Sequence, residues 1–366
     1  MAIMNIIWFT GRHFEDLCST TQISLASGLM EKGHSMEIIN PDFQNSIGDQ
    51  KWKHHGLSVK ALPGLKSMKL SRKMHSWLLE YYPPENTVAL LDWRVAKKLS
   101  PTIEKKKIPW ILIDRGPPAD GNLLSKLQWF YWKRSWNLVK NNSNRIGCVV
   151  SKAHCSFVEK YVGVDRNSMI IIPAGVDTKQ FHVSKKQKNL QLNYHGKIDK
   201  NRGIMSIIEI FLRLRETEMN VELNIHGRGN CVESIKKLNI EGLNLTDPLK
   251  RDKLADKLST YDIGFLPMPD NEIWRIASPL KRSEYLASGM LICGIDHLGH
   301  QIENSGNWLQ LFDEENFVIS SVDWIKNLKE SELRMLQQEA RIFAENNFDW
   351  EPSVEKLNQL ISKQSS

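Results

Sequence analysis

No stretch of this chain approaches the ~18–20 consecutive apolar residues of a membrane-spanning helix, so no helical span is expected. The N-terminal run Ile3–Phe9 is also too short for the apolar core of a signal peptide. It meets Gly11-Arg12-His13 at once and reads as a strand entering a loop. Cysteine is scarce: Cys18, Cys148, Cys155, Cys231 and Cys293 form an odd set without any C-x-x-C pair. That excludes a disulfide framework and a cysteine zinc site, and predicts reduced thiols in a cytoplasmic protein. His297-x-x-His300 has no acidic or cysteine partner nearby, so a loop pair is expected in preference to a metal site. A dinucleotide fingerprint is missing too. Gly11 stands alone in the first turn, and Gly227-Arg228-Gly229 is followed by Val232 where a third glycine would fall.

What is present is the composition of a soluble globular protein, 41% hydrophobic and 25% charged, which gives no sign of disorder. A chain of 366 residues exceeds one typical core, and two domains follow. The net charge of +7 is unevenly shared. Residues 1–183 carry 25 Lys+Arg against 15 Asp+Glu, the remainder 24 against 27, and residues 51–150 alone 19 against 6. A local basic patch in the first half implies an anionic partner surface.

The chain opens as a βαβ unit. Ile3–Phe9 is a strand, Thr20 and Thr21 offer caps, and Ile23, Ala26, Leu29 and Met30 form a helical stripe ending at Gly33 before the strand Met36–Asn40. In residues 51–80, Lys66, Lys69, Arg72 and Lys73 interleave with Leu65, Met68, Leu70, Met74 and Trp77. This suits an interfacial element on an anionic membrane and equally a solvated basic surface. No nucleic-acid recognition motif follows, so nucleic acid is not an expected partner. After strands at Thr87–Leu91 and Trp110–Ile113, the polar loop Asp114 to Gly121 stands where open α/β sheets place ligands, at strand carboxyl ends. The helix Leu123–Lys140 carries Trp129, Phe130, Tyr131, Trp132 and Trp136 with Lys126, Lys133, Arg134 and Lys140, and core packing accounts for most of the aromatics. Strands at Ile146–Val150 and Met169–Ile172 flank a helix running to Tyr161, and the polar stretch Ser184–Asn189 reads as a linker.

The second half restarts the pattern, with strands Leu190–His195 and Val221–His226, turns at Gly196-Lys197 and Gly227, and Arg202-Gly203 ahead of a helix. Alternation in both halves predicts two doubly wound α/β domains, 1–183 and 184–337, with a helical tail 338–366. The stretch Ile273–Asp296 follows the apolar run Ile263–Pro267. Ser278 is placed as N-cap, Pro279 at the first helical position and Gly289 as the closing residue. Cations are normally disfavoured at a helix start. Arg275, Lys281 and Arg282 gather here nonetheless, which predicts an anion site. Glu284 falls three residues after Lys281, placed to hold ribose hydroxyls.

Four segments in order, LASGLMEKGHSMEII, VVSKAHCSFVEKYVGVDRNSMIIIPAGVDTKQF, YHGKIDKNRG and SPLKRSEYLASG, give the chain its resemblance to a family. It resembles the retaining, family 4-like glycosyltransferases of the two-Rossmann (GT-B) type, which include glycogen and sucrose synthases and phosphatidylinositol mannosyltransferases. The resemblance implies two Rossmann-like domains facing a cleft, with the C-terminal helices packing back on the first. It implies Lys197 and Arg202 gripping the donor diphosphate and Glu284 holding the donor ribose, with Gly11, Gly196, Gly227, Ser278 and Lys281 lining the nucleotide site. No Asp-x-Asp occurs, in keeping with a metal-independent donor site and no cofactor beyond the nucleotide-sugar substrate. Eight residues before Glu284 the family has an acid that touches the sugar; here Ile276 stands there, with Asp270 and Glu272 as substitutes in the loop ahead. The family's loop histidine is replaced by Asp114-Arg115: Asp114 is placed to accept from a hydroxyl, and Arg115 to bind an acceptor phosphate. Ala174 replaces the asparagine of the Pro-x-Gly-x-Asp turn. The expected function is metal-independent, retaining sugar transfer from a nucleotide-sugar to a lipid-linked or cell-surface glycan precursor, by a cytoplasmic protein touching an anionic membrane. The rivals are a noncatalytic nucleotide- or membrane-binding scaffold, and an epimerase or phosphorylase on the same fold.

Overall fold

A computed structural model describes residues 3–16, 19–44, 51–60, 66–118, 123–184 and 187–364, with side chains in the fourth helix described from residue 127 onward. Cys18, Leu65, the loop residues Asp120 and Gly121, the Lys126 side chain and the Lys185-Lys186 pair lie outside the described residues.

The chain divides into two compact units, Met1–Pro173 with Trp350–Ser366, and Ala174–Asp349. The polar stretch read as a linker thus lies inside the second unit. The first unit runs β1 (Asn5–Phe9), α1 (Thr20–Glu31), β2 (Ser35–Asn40), β3 (Lys53–Gly56), α2 (Lys66–Glu80), β4 (Thr87–Asp92), α3 (Trp93–Lys105), β5 (Trp110–Ile113), α4 (Leu123–Lys140), β6 (Gly147–Val149), α5 (Lys152–Val162) and β7 (Met169–Ile171). Its strands form one parallel sheet in the order β3-β2-β1-β4-β5-β6-β7. Every residue of β4 is buried, the continuous apolar run of a strand covered on both faces. Local signals set the helix limits. The Ser151 hydroxyl accepts from the His154 N–H at the start of α5, and Gly163 ends it at φ 73°.

The second unit runs β8 (Leu190–Lys197), α6 (Ile204–Glu216), β9 (Val221–Arg228), α7 (Val232–Lys237), β10 (Leu243–Thr246), α8 (Arg251–Leu258), β11 (Ile263–Leu266), α9 (Glu272–Arg275), α10 (Leu280–Ala287), β12 (Leu291–Ile295), β13 (Leu309–Phe312), α11 (Phe317–Asn327) and α12 (Glu330–Asn347). Its sheet is parallel in the order β10-β9-β8-β11-β12-β13. The last helix, α13 (Glu351–Gln364), returns to the first unit. There His34 accepts from the Met4 N–H at 3.1 Å and donates through Nε2 to Asn358 Oδ1 at 2.8 Å, which ties α13 to the strand edge below α1. Both sheets are therefore doubly wound. In each, the chain reverses its direction of winding beside the first strand, at β1/β4 and at β8/β11. Outside the carboxyl ends of such strands, open α/β sheets hold ligands.

The aromatic helix α4 faces inward through Trp132 and Trp136, both fully buried, while Phe130 and Tyr131 stay exposed beside Arg134. Helix α3, only a short segment in the sequence reading, spans Trp93–Lys105 and packs against both α2 and α4.

Candidate functional site

Strands β8 and β9 stay in register to their ends, Gly196 opposite Gly227 and Lys197 opposite Arg228. A Cβ on Gly227 would stand 1.8 Å from the Gly196 carbonyl oxygen, and Gly196 itself sits at φ 126°, so side chains are excluded from both turns. The space above Gly196 belongs to Lys281, whose Nζ would lie 3.2 Å from a Cβ there and hangs 5.3 Å from the centre of the Tyr194 ring. The Tyr194 hydroxyl donates to the Lys197 carbonyl at 2.7 Å and fixes the turn that presents the exposed Lys197 side chain. Two lysines from distant segments thus flank a bare stretch of backbone at the switch point. Arg228 adds a cation that the sequence reading passed over as part of a tight turn.

Arg202 lies in the short turn before α6. Gly203 follows at φ 69°, with the Pro267 carbonyl oxygen 2.0 Å from where a Cβ would be. That contact binds the loop after β8 to the end of β11. The Arg202 guanidinium stacks over Trp274 at 4.1 Å, and its Nε is buried without a hydrogen-bond partner among the described residues.

Helix α10 starts one residue later than its sequence signals indicate. Pro279 is the N-cap, Leu280 the first helical residue, and the Ser278 hydroxyl instead accepts from the Ala174 N–H at 3.2 Å. The predicted gathering of three cations is corrected as well. Arg275 is held by both oxygens of Asp270, at 2.5 and 2.7 Å, on α9. Arg282 turns inward to donate to the Gly299 and Gln301 carbonyls, and burial brings its pKa down to about 10. Only Lys281 of the three stands over Gly196. Asp270 is engaged by Arg275, Glu272 is exposed at the start of α9, and Ile276 is 4% exposed.

Glu284 lies one turn into α10 and is 4% exposed. Its Oε2 accepts from His195 Nε2 at 2.9 Å and its Oε1 from Arg251 at 2.9 Å. Burial pushes this carboxyl pKa up, but the His195 hydrogen bond and the Arg251 charge more than reverse it and bring it down to about 2. Burial lowers the His195 pKa, against the pull of Glu284. Near neutral pH the group is therefore a carboxylate facing one guanidinium and one neutral imidazole N–H. Two of its lone pairs are used, leaving acceptor capacity on each oxygen. Neither partner was foreseen. His195 reads only as a strand residue and Arg251 carries no sequence signal, and the fold brings both to Glu284 from 89 and 33 residues away.

Gly11 and Asp114 belong to the first unit. Asp114 is 1% exposed. Its Oδ2 accepts from the indoles of Trp132 and Trp136 at 2.6 and 2.7 Å, and its Oδ1 from the Gly116 N–H at 2.8 Å. His154 Nε2 lies 3.3 Å away. Burial pushes its pKa up, and His154, Trp136 and Gly116 hold it below the ordinary carboxylate value. The geometry gives Asp114 the work of pinning α4 and α5 to the sheet. Its expected role toward a substrate hydroxyl is corrected accordingly, because both oxygens are occupied inside the core.

His297 and His300 are buried with ring centroids 3.7 Å apart. His297 accepts from the Gly299 N–H and donates to the Met268 carbonyl, while His300 donates to the Ile295 carbonyl. Among the described residues no cluster of His, Cys, Asp and Glu is arranged to hold a metal ion.

No protein-family profile matches the chain, and no curated protein sequence matches it. Solved structures do. A glycosyltransferase from Rickettsia africae superposes with a TM-score of 0.76 at 12% identity, covering 100% of this chain and 99% of its own. WaaG, a glycosyltransferase involved in lipopolysaccharide biosynthesis, gives 0.72 at 13% identity, covering 97% of this chain and 99% of its own. The pneumococcal O-GlcNAc transferase GtfA, solved with UDP and GlcNAc, gives 0.74 at 10% identity over 100% and 99% of the two chains. At such identities the likeness concerns architecture, and with nearly the whole of both chains covered the chain has the GT-B fold of these glycosyltransferases.

Proposed function

We propose that the protein is a glycosyltransferase that takes a sugar from a nucleotide-sugar donor and passes it to a lipid-linked or cell-surface glycan precursor, with retention of configuration and without a metal. The observation that carries this reading is the β8/β11 switch point. There Lys197 and Lys281 flank the glycine backbone at Gly196, and Glu284 is held by His195, the residue before that glycine, and by Arg251. In the proposed reaction the bond between the anomeric carbon and the diphosphate oxygen breaks, and its electron pair leaves with the diphosphate. The acceptor hydroxyl oxygen bonds to that carbon on the same face, and its proton passes to the departing phosphate. Charge grows on the leaving group, and Lys197, Lys281 and Arg202 stabilise it electrostatically. Ribose hydroxyls donate to the lone pairs that Glu284 keeps. The bound UDP of GtfA and the lipopolysaccharide role of WaaG, stated for those proteins, support a nucleotide donor and a glycan product here.

A peripheral membrane contact belongs to the same proposal. No described helix is long and apolar enough to cross a membrane. On α4, Leu127, Phe130 and Tyr131 are exposed next to Lys133 and Arg134, and on α2 Lys66, Lys69, Arg72 and Lys73 line the outer face. Exposed apolar rings amid cations suit an anionic bilayer surface. A noncatalytic binder is favoured by one observation, the withdrawal of Asp114 into the core.

Thermal stabilisation of the purified chain by UDP-, GDP-, ADP- and CDP-sugars, followed by transfer or hydrolysis assays, tests the reading, since a ligand that binds only the folded state raises its stability. One nucleotide class should stabilise, and Lys197→Ala and Lys281→Ala should abolish turnover. Binding without any turnover establishes the binder instead, and full activity in both variants overturns the site.

A further inference from the structure

The first unit has a crevice of its own at the β1/β4 switch point, outside the carboxyl ends of β1, β4 and β5. Three arginines from three separate segments line it: Arg12 after β1, Arg94 at the start of α3, and Arg115 after β5. The first turn of α1, a helix of 12 residues, adds Thr21 and Gln22, and with them the positive end of its dipole. Among the described residues Asp92 is the one acid in the lining, so with the three arginines their formal charge is +2. Its carboxylate caps α3 and holds Arg94 at 3.2 Å through both oxygens. Arg115 is held by the Ile172 carbonyl at 2.6 Å and by the Thr21 hydroxyl at 3.4 Å. Gly11 leaves room for this arrangement, because a Cβ there would come within 3.0 Å of Arg94 Cδ. Burial lowers the Arg94 pKa, Asp92 opposes that, and the Arg12 charge lowers it further.

A second observation is independent of charge. Gln22 is 6% exposed, lines the crevice, and its amide nitrogen has no hydrogen-bond acceptor among the described residues. A buried donor without an acceptor is rare in a folded chain and points to a missing partner. An oxyanion supplies acceptor atoms for the amide and for planar guanidinium forks together. A crevice charge of +2 matches a phosphate monoester, which carries about −1.5 to −2 near neutral pH, better than the single charge of a carboxylate.

We propose that the β1/β4 crevice binds the phosphomonoester group of a phosphorylated acceptor, held by Arg12, Arg94, Arg115 and the Gln22 amide. Calling the ligand the acceptor rests on the transferase reading; the anion site does not. The test is calorimetric titration of the full-length protein with inorganic phosphate at constant ionic strength, with acetate as control. Wild type should bind phosphate saturably and more tightly than acetate. Arg115→Gln and Gln22→Leu should each weaken it about tenfold or more, while Lys326→Ala, exposed on α11 and part of neither site, keeps wild-type phosphate affinity. Gln22→Leu should also raise the melting temperature without phosphate, because it removes the orphaned donor, so its loss of binding is not a loss of fold. No saturable phosphate binding, equal acetate binding, or unchanged affinity in both crevice variants overturns the site. Displacement of phosphate by glycerol 3-phosphate assigns a soluble phosphorylated acceptor, and displacement only by vesicles containing phosphatidic acid assigns a lipid-borne one; displacement by neither refutes the monoester. Should the phosphate results hold while UDP, GDP, ADP and CDP all fail to bind, the transferase reading falls and the anion site stands.

Discussion

Replacing Glu284 with glutamine tests whether its buried carboxylate is the electrostatic centre of the second unit. In the native state this carboxyl titrates at about 2, against an ordinary 4.5, with its side chain 5% exposed. Each unit of difference is worth ~1.36 kcal/mol, so the charged form contributes roughly 3 kcal/mol when fully ionised. The sign follows from proton uptake. Between pH values of about 4.5 and 2 the unfolded chain binds a proton that the folded chain refuses, so acid favours unfolding there. The contribution is complete above the unfolded value and less than half remains by about pH 3. Glu284→Gln keeps the shape and one acceptor oxygen but removes the charge facing Arg251. At neutral pH the variant should lose roughly 3 kcal/mol, a drop of about 6–12 °C in the transition of a unit this size. By about pH 3 its curve should approach that of wild type. Urea titrations at several pH values with calorimetry read this directly. A gap of the same size at both ends of the range, or one below about 1 kcal/mol at neutral pH, refutes the argument.

His226 gives a second window. Burial holds its pKa at about 4 rather than 6.5, so wild type should lose roughly 3 kcal/mol as pH falls from about 6.5 to 4, and His226→Gln should flatten that slope. Gly203→Ala places a Cβ 2.0 Å from the Pro267 oxygen at φ 69°, and denaturation should report a loss of at least ~2 kcal/mol. Asp114→Asn leaves His154 and two indoles around an uncharged amide, which should cost about 3 kcal/mol in urea melts and alter tryptophan fluorescence, without the tenfold loss of phosphate affinity expected of Arg115→Gln. Trp274→Ala removes the ring under Arg202, worth ~0.5–2 kcal/mol, and should raise the donor KM several-fold while kcat falls less.

The fold was legible because its signals are local and repeated. Buried strands such as β4 read by the apolar run at their centre, and Ser151, Gly163 and Gly203 mark helix ends, the serine through its hydroxyl and the glycines through a left-handed backbone. Strand β3, Lys-His-His-Gly, escaped because an edge strand of polar residues carries no apolar pattern. The site was legible in its backbone part and less so in its charges. Gly196 and Gly227 are glycines for a reason that two turns in one sheet reveal. Arg275 and Arg282 sit beside Lys281 in sequence, but Asp270 and the Gly299 and Gln301 carbonyls draw them elsewhere. Asp114 stands at the predicted strand end, yet the two tryptophans that consume it arrive 18 and 22 residues later, on a face that helical spacing identifies only as core. Charges are decided by partners that the folded loops bring up, five residues away for Arg275 and 17 and 19 for Arg282, and an apolar pattern does not encode them.

The two sheets solve one topological problem twice and spend the result differently. Each reverses its winding beside its first strand, and at β1/β4 a crevice opens there between loops. At β8/β11 the walls are glycine backbone with lysine above it and a buried carboxylate beneath, a surface suited to an extended ligand with phosphates at one end and hydroxyls at the other. At β1/β4 glycine is reduced to Gly11, and the space it frees holds the stem of an arginine. Among the described residues, three guanidinium groups and an orphaned amide gather there with one acid, a surface suited to a compact dianion. The excess positive charge of the first half therefore has two separable components, an exposed one on α2 and α4 and a concave one at the switch point. Salt distinguishes them: contacts at the exposed helices should weaken steeply as ionic strength rises past the ~10 Å screening regime, whereas the enclosed arginines, partly shielded from solvent, should hold phosphate with a shallower dependence. Equal salt slopes for vesicle binding and for phosphate binding would mean that both belong to one solvated surface, and the crevice would lose its separate standing.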